Sequence, residues 1–240
     1  MNEQTSSAQT SRAPAIDLAR GIALIGMAVF HFTFDLEFFH LIAPGTITSL
    51  PWIVFARTVA GSFVFLAGVS LVMAARGGMR WPSFWRSTAV VAVAALGVTV
   101  ATWFAIRPAF VFFGILHMIV VGRLLGLAFL RVPPVLTAVI GVAVWALPYL
   151  VQSPMFNARW MAWIGFAEVQ PFSMDLEPVF PWFGPFLLGM AMAGLAQAWL
   201  RGGVLVNPVL RGLAWAGRHS LAIYLIHQPV LLGSLWLFFG

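Results

Sequence analysis

Apolar residues run along the chain in seven long blocks, each close to the roughly 20 residues that a helix needs to cross a bilayer. They fall at about 19–42, 52–75, 87–106, 109–130, 133–151, 179–200 and 219–239. Glycine and proline punctuate them at Pro44-Gly45, Gly77-Gly78 with Pro82, Arg107-Pro108, Pro133-Pro134 and Gly202-Gly203 with Pro208. One connection is long, 152–178, and its Trp160 and Trp163 predict an interfacial helix. Residues 1–15 are polar and predict a disordered tail ahead of a single transmembrane domain over 16–240. The apolar run after Arg20 is too long for the core of a cleavable signal and ends without a small-residue cleavage site. No internal repeat is visible. The expected fold is all-α, a polytopic bundle of about seven transmembrane helices.

Composition strengthens this picture. Hydrophobic residues make up 61% of the chain, charged residues only 8%, and mean hydropathy is +0.96. A soluble domain of 240 residues cannot bury so much apolar surface, so the solvent is a bilayer. The absence of cysteine excludes disulfides, thiolate nucleophiles and thiolate metal sites. The net charge of +6 comes from thirteen Arg and no Lys, spread over short loops. That distribution speaks against nucleic-acid binding and for a topology signal. Arg12, Arg20, Arg76, Arg80, Arg86, Arg131, Arg201, Arg211 and Arg218 fall on the side of the N-terminus, and Arg107 and Arg159 on the other. The positive-inside rule then predicts a cytoplasmic N-terminus. The acidic residues Glu168, Asp175 and Glu177 fall outside.

Ionisable side chains inside spans are costly and point to function. The first span carries the strongest set. Arg20 and His31 are eleven residues apart, three turns plus about 20°, and share a face. Asp17, three before Arg20, and Asp35, four after His31, complete one polar stripe. His31 lies about 18 Å from the inner end of the span. Asp35 is placed to fix its tautomer and raise its basicity. Glu37 and His40 lie off the stripe. His117, Arg123 on the same helix, Arg57 in the second span, and Ser220, Tyr224 and His227 on one face of the last span add partners. Three histidines from three helices are expected to surround one cavity.

Other chemistries find less support. Three His could hold zinc, but no His-x-x-x-His pair exists, and no metal is expected. Ser220 lies at the membrane edge, which argues against a Ser/His/Asp triad. The Gly pairs lack the strand, turn, helix and Lys of a phosphate loop. The clusters Arg76/Arg80/Arg86 and Arg201/Arg211/Arg218 suit anionic lipid head groups, or a phosphorylated cosubstrate.

Several motifs carry a resemblance. The opening Ala15-Ile16-Asp17-Leu18-Ala19-Arg20-Gly21-Ile22-Ala23-Leu24 resembles the first-span signature of the heparan-α-glucosaminide N-acetyltransferase catalytic-domain family. Phe63-Val64-Phe65-Leu66-Ala67-Gly68, Phe113-Gly114-Ile115-Leu116-His117 and Phe180-Pro181-Trp182-Phe183-Gly184 resemble the same family. The segment from Gly217-Arg218-His219-Ser220 to Tyr224-Leu225-Ile226-His227-Gln228-Pro229-Val230 looks like a last-span motif shared with the related acyltransferase-three family. The resemblance covers roughly residues 13–235 and implies a small bacterial transmembrane acyltransferase. It further implies acetyl-CoA bound from the cytoplasm as cosubstrate and an acceptor, often a sugar, reached from the other face. The acyltransferase-three family carries Arg, ten residues, then His in its first span, which Arg20 and His31 match. The heparan-type enzymes use a His nearer the outer end, where His40 falls after a gap of about two residues. Animal heparan-type enzymes are longer and have a lumenal domain, which is not expected within these 240 residues.

The expected function is therefore acyl transfer in a bacterial cytoplasmic membrane. The partners are the lipid bilayer, acyl-CoA and a sugar-like amine or hydroxyl acceptor. His31 would be the general base, oriented by Asp35, with His40 the second candidate. Arg20, with Asp17 beside it, and other cytoplasmic Arg residues would hold the donor's phosphates. His117, His227, Tyr224, Arg57 and Arg123 would line or position the site. A proton-coupled carrier and a non-catalytic assembly subunit are the alternatives; the first needs no acyl donor, and the second needs no reaction.

Overall fold

A computed structural model of the chain describes residues 14–200 and 207–239. Nine α-helices are found among these residues. They are α1 (Pro14–Phe38), α2 (Leu50–Ala75), α3 (Trp81–Ala105), α4 (Ile115–Gly126), α5 (Pro134–Ala146), α6 (Arg159–Ala162), α7 (Val179–Leu200), α8 (Pro208–Arg218) and α9 (Ser220–Phe239). The fold is all-α. Helices α1, α2, α3 and α9 are each long and apolar enough to cross a membrane, and α4, α5 and α7 contribute shorter apolar stretches. Proline opens four helices, as Pro51, Pro82, Pro134 and Pro208, where a missing N–H leaves nothing unbonded. Arg12, Arg201 and the Gly202-Gly203 break lie outside the described residues, as do residues 1–13 of the expected tail. Its last two residues, Pro14 and Ala15, are already helical.

The helices alternate in direction. Arg20 meets Ser70 across antiparallel α1 and α2, and Arg123 meets Ser87 across antiparallel α4 and α3. Helices α2 and α7 run parallel and touch closely. A Cβ on Gly68 would lie 2.0 Å from the Phe186 carbonyl oxygen, so only glycine admits this approach. The core gathers here, with Val64, Met118, Phe186 and Leu187 fully buried between α2, α4 and α7. Helices α1 and α9 run side by side in the same direction, with the His31 and His227 rings 4.8 Å apart.

Two features differ from the sequence expectation. Helix α8 was not anticipated. Asn207 caps it by accepting from the Val209 N–H at 2.8 Å, and Gly217 lets it sit against the Asp17 carbonyl of α1. The expected interfacial helix around Trp160 and Trp163 shrinks to the single turn α6. The rest of that connection is stitched to the 106–114 turn. Met174 N–H donates to Ala109 O at 2.8 Å and Glu177 N–H to Phe113 O at 3.0 Å.

Candidate functional site

The bundle holds a half-open cavity of about 600 Å³ between α1, α2, α3, α9 and the 174–177 segment. Its walls are mostly Phe, Val, Ala and Leu, and the polar groups among them are few. They include His31 of α1, Tyr224, His227 and Gln228 of α9, and Asp175 and Glu177 of the long connection. A volume of this size suits a small ligand whose orientation a few polar groups decide.

The two histidines are held differently. The His227 Nδ1 lies 2.6 Å from the Tyr224 carbonyl oxygen. A carbonyl only accepts, so Nδ1 carries the proton and Nε2 keeps its lone pair. That Nε2 is buried and has no partner among the described residues. The His31 ring stands edge-on to it and also packs on Phe30. Two imidazoles in such contact disfavour a double positive charge, which favours at least one neutral ring.

Asp35 does not orient His31 as expected. It is fully buried, and its Oδ1 accepts from Gln228 Nε2 at 2.7 Å. One helical turn brings Asp35 and His31 to the same face, but the α9 amide captures the carboxylate first. His117 does not join the cavity either, so two histidines converge rather than three. Its Nδ1 accepts the Gly114 N–H at 3.2 Å, capping α4, and its Nε2 faces Thr99 Oγ1 at 3.2 Å. Thr99 already donates to Val111 O, so the second contact must come from His117 Nε2–H and both ring nitrogens are occupied. His40 sits past the end of α1 at φ 58°, exposed, where the Leu41 N–H returns to the Leu36 carbonyl. It closes the helix and is not among the residues that line the cavity.

The arginines divide between the two ends. Arg20 donates to Ser70 Oγ at 2.6 Å and pairs with Asp17 at 3.5 Å. Arg123 donates to Ser87 Oγ at 2.6 Å and lies over the Phe84 ring, close enough to Arg20 for the two charges to interact. Together they form a cationic cluster at the end of the bundle where α1 begins. Arg57 is exposed on α2, and its charge reaches Glu177.

Asp175 and Glu177, two members of the acidic group expected outside, both line the cavity. Asp175 Oδ2 accepts from the Ile115 N–H at 3.1 Å, at the start of α4, and from Tyr224 O–H at 3.3 Å. Burial pushes the Asp175 carboxyl up, against these two hydrogen bonds. Burial pushes Glu177 well above the usual carboxylate range, and the neighbouring Asp175 charge adds to this. Loop position hid both residues from sequence reasoning. Gln228 was missed because it does not ionise, although it directly follows His227.

Several long apolar helices around a mostly apolar cavity define a multi-pass membrane protein. Residues 12–229 match the family model described as heparan-alpha-glucosaminide N-acetyltransferase, catalytic. The match spans most of the chain, which therefore belongs to this family of membrane N-acetyltransferases. No curated protein and no solved structure matches the chain.

Proposed function

We propose that this protein moves an acetyl group from acetyl-CoA to an amine on a sugar-like acceptor, with the His31–His227 pair as general base. The observation that carries this reading is the shared cavity, in which two histidines from α1 and α9 meet beside Tyr224 in a chain of this family. The acceptor nitrogen attacks the thioester carbonyl carbon. The C–N bond forms, the C–S bond breaks, the histidine pair takes the N–H proton, and the departing thiolate recovers it. No covalent enzyme intermediate is needed. The Tyr224 hydroxyl now donates to Asp175 and would have to turn from it to meet the carbonyl oxygen as charge builds there.

The donor enters at the end where α1 begins. Arg20 and Arg123 offer two guanidinium groups to its phosphates there, with Asp17 steadying Arg20. The arginine distribution supports a cytoplasmic place for that end, and alternating helix directions fit seven crossings. The acceptor then arrives from the opposite face, past Arg57 and the 174–177 segment. The membrane is the cytoplasmic membrane of a bacterium.

Purified protein in liposomes tests this reading. Free thiol release from acetyl-CoA should require an amino sugar, and the donor should work from one face of the membrane only. Release that ignores the acceptor, or its absence over a panel of amino sugars, overturns the reading.

A further inference from the structure

The α1–α9 contact holds an arrangement that the base alone does not explain. Asp35 is completely buried behind the cavity wall, and Gln228 forms part of the wall. With Asp35 ionised its oxygens only accept, and the Gln228 amide turns its Nε2 toward Asp35 Oδ1, at 2.7 Å. The opposite orientation would set oxygen against oxygen. The Gln228 Oε1 is thereby fixed as an acceptor, and it is buried with no partner among the described residues. The preceding residue has the same character. His227 gives its Nδ1–H to the Tyr224 carbonyl and leaves Nε2 bare. Two consecutive residues of one wall thus hold buried acceptors without a partner among the described residues, each turned by a neighbour that takes its hydrogen.

We propose that Gln228, turned by Asp35, binds the acceptor's nucleophilic group and selects groups that bring two hydrogens, with Asp35 as its positioning residue. This rests on the acetyltransferase reading. A primary amine has two N–H bonds. One goes to the histidine pair, which removes that proton, and the other goes to Gln228 Oε1. Both hydrogens are then engaged, and the nitrogen lone pair is free to meet the thioester. A hydroxyl has one hydrogen and leaves one of the two acceptors unanswered in a mostly apolar site, which costs affinity. Selection of nitrogen over oxygen therefore lies in the orientation of one amide and not in the base.

The test measures acetyl transfer by full-length protein in liposomes to glucosamine and to glucose, for wild type, Gln228→Met and Asp35→Asn. Gln228→Met keeps the length of the side chain and removes the acceptor atom. It should lower kcat/KM for glucosamine by about tenfold or more, raise the acceptor KM, leave the acetyl-CoA KM unchanged and shrink the amine-to-hydroxyl ratio. Asp35→Asn lets either amide turn, so it should shrink the same ratio by a smaller factor. If Gln228→Met does not fold, Asp35→Asn carries the ratio measurement. An unchanged ratio in the folded variants overturns this inference alone. No transfer by wild type to either sugar overturns it together with the acetyltransferase reading.

Discussion

Replacing Gly68 with alanine tests the packing that frames the cavity. The new Cβ would lie 2.0 Å from the Phe186 carbonyl oxygen and 3.0 Å from its carbonyl carbon. Ordinary contact begins near 3.4 Å, so α2 and α7 would have to part by more than 1 Å. The obstacle is backbone, and no rotamer relieves it. A gap of about 1 Å already forfeits up to half of a dispersion well, and Phe186, Leu187 and Val64 all pack at this seam. Overpacking of this kind costs about 1–3 kcal/mol or more. Gly97→Ala is the control, because a Cβ there meets nothing within 4 Å. In the middle of α3 it should be neutral or gain up to about 1 kcal/mol from helix propensity. The two variants should therefore differ by roughly 1–4 kcal/mol in reversible unfolding titrated in mixed micelles. Equal stability of the two would refute the close α2–α7 contact and the cavity geometry that depends on it.

Three other outcomes follow from the site. His117→Ala should cost about 1 kcal/mol of stability through the lost α4 cap, while the folded fraction keeps its transfer rate; a selective loss of rate would return His117 to the chemistry. Arg20→Gln should raise the acetyl-CoA KM about tenfold and leave the acceptor KM alone, as steady-state kinetics would show. Glu177 binds its proton more tightly in the fold, so its burial makes stability fall as pH rises from about 4.5, its ordinary value, through the raised one. Glu177→Gln should match wild type in unfolding titrations below that window and be more stable above it. Asp175 shifts in the same direction and leaves a residual slope in the variant, and Arg57 opposes both charges. A larger pH dependence in the variant would contradict this sign.

The apolar blocks made the helix positions legible, because a span must be continuous to satisfy its backbone in lipid. The block at 52–75 became α2, Leu50–Ala75, and that at 219–239 became α9, Ser220–Phe239. The polar stripe on the first helix also led to His31. Helix α8 was harder to see, since it is too short and too polar to register as a span. Its signals were Asn207-Pro208 as cap and first turn, and Leu210, Leu213, Ala214 and Gly217 at helical spacing. The fates of His117, Asp35 and Asp175 were not legible. Each depends on a partner brought in by tertiary packing: Thr99 from α3, Gln228 from α9, and Tyr224 from α9. Spacing along one helix gives the face of a residue, and the neighbouring helix decides which group it meets.

The central claim is that the histidine pair between α1 and α9 performs acetyl transfer. The most direct measurement follows labelled acetyl from acetyl-CoA onto an amino sugar, using wild type, His31→Ala, His227→Ala and His40→Ala in liposomes. Size-exclusion profiles confirm that each variant is folded. The account predicts that His31→Ala and His227→Ala each lose about 10²–10⁴-fold in rate and that His40→Ala stays near wild type. Full transfer by both cavity variants, or loss confined to His40→Ala, would contradict it.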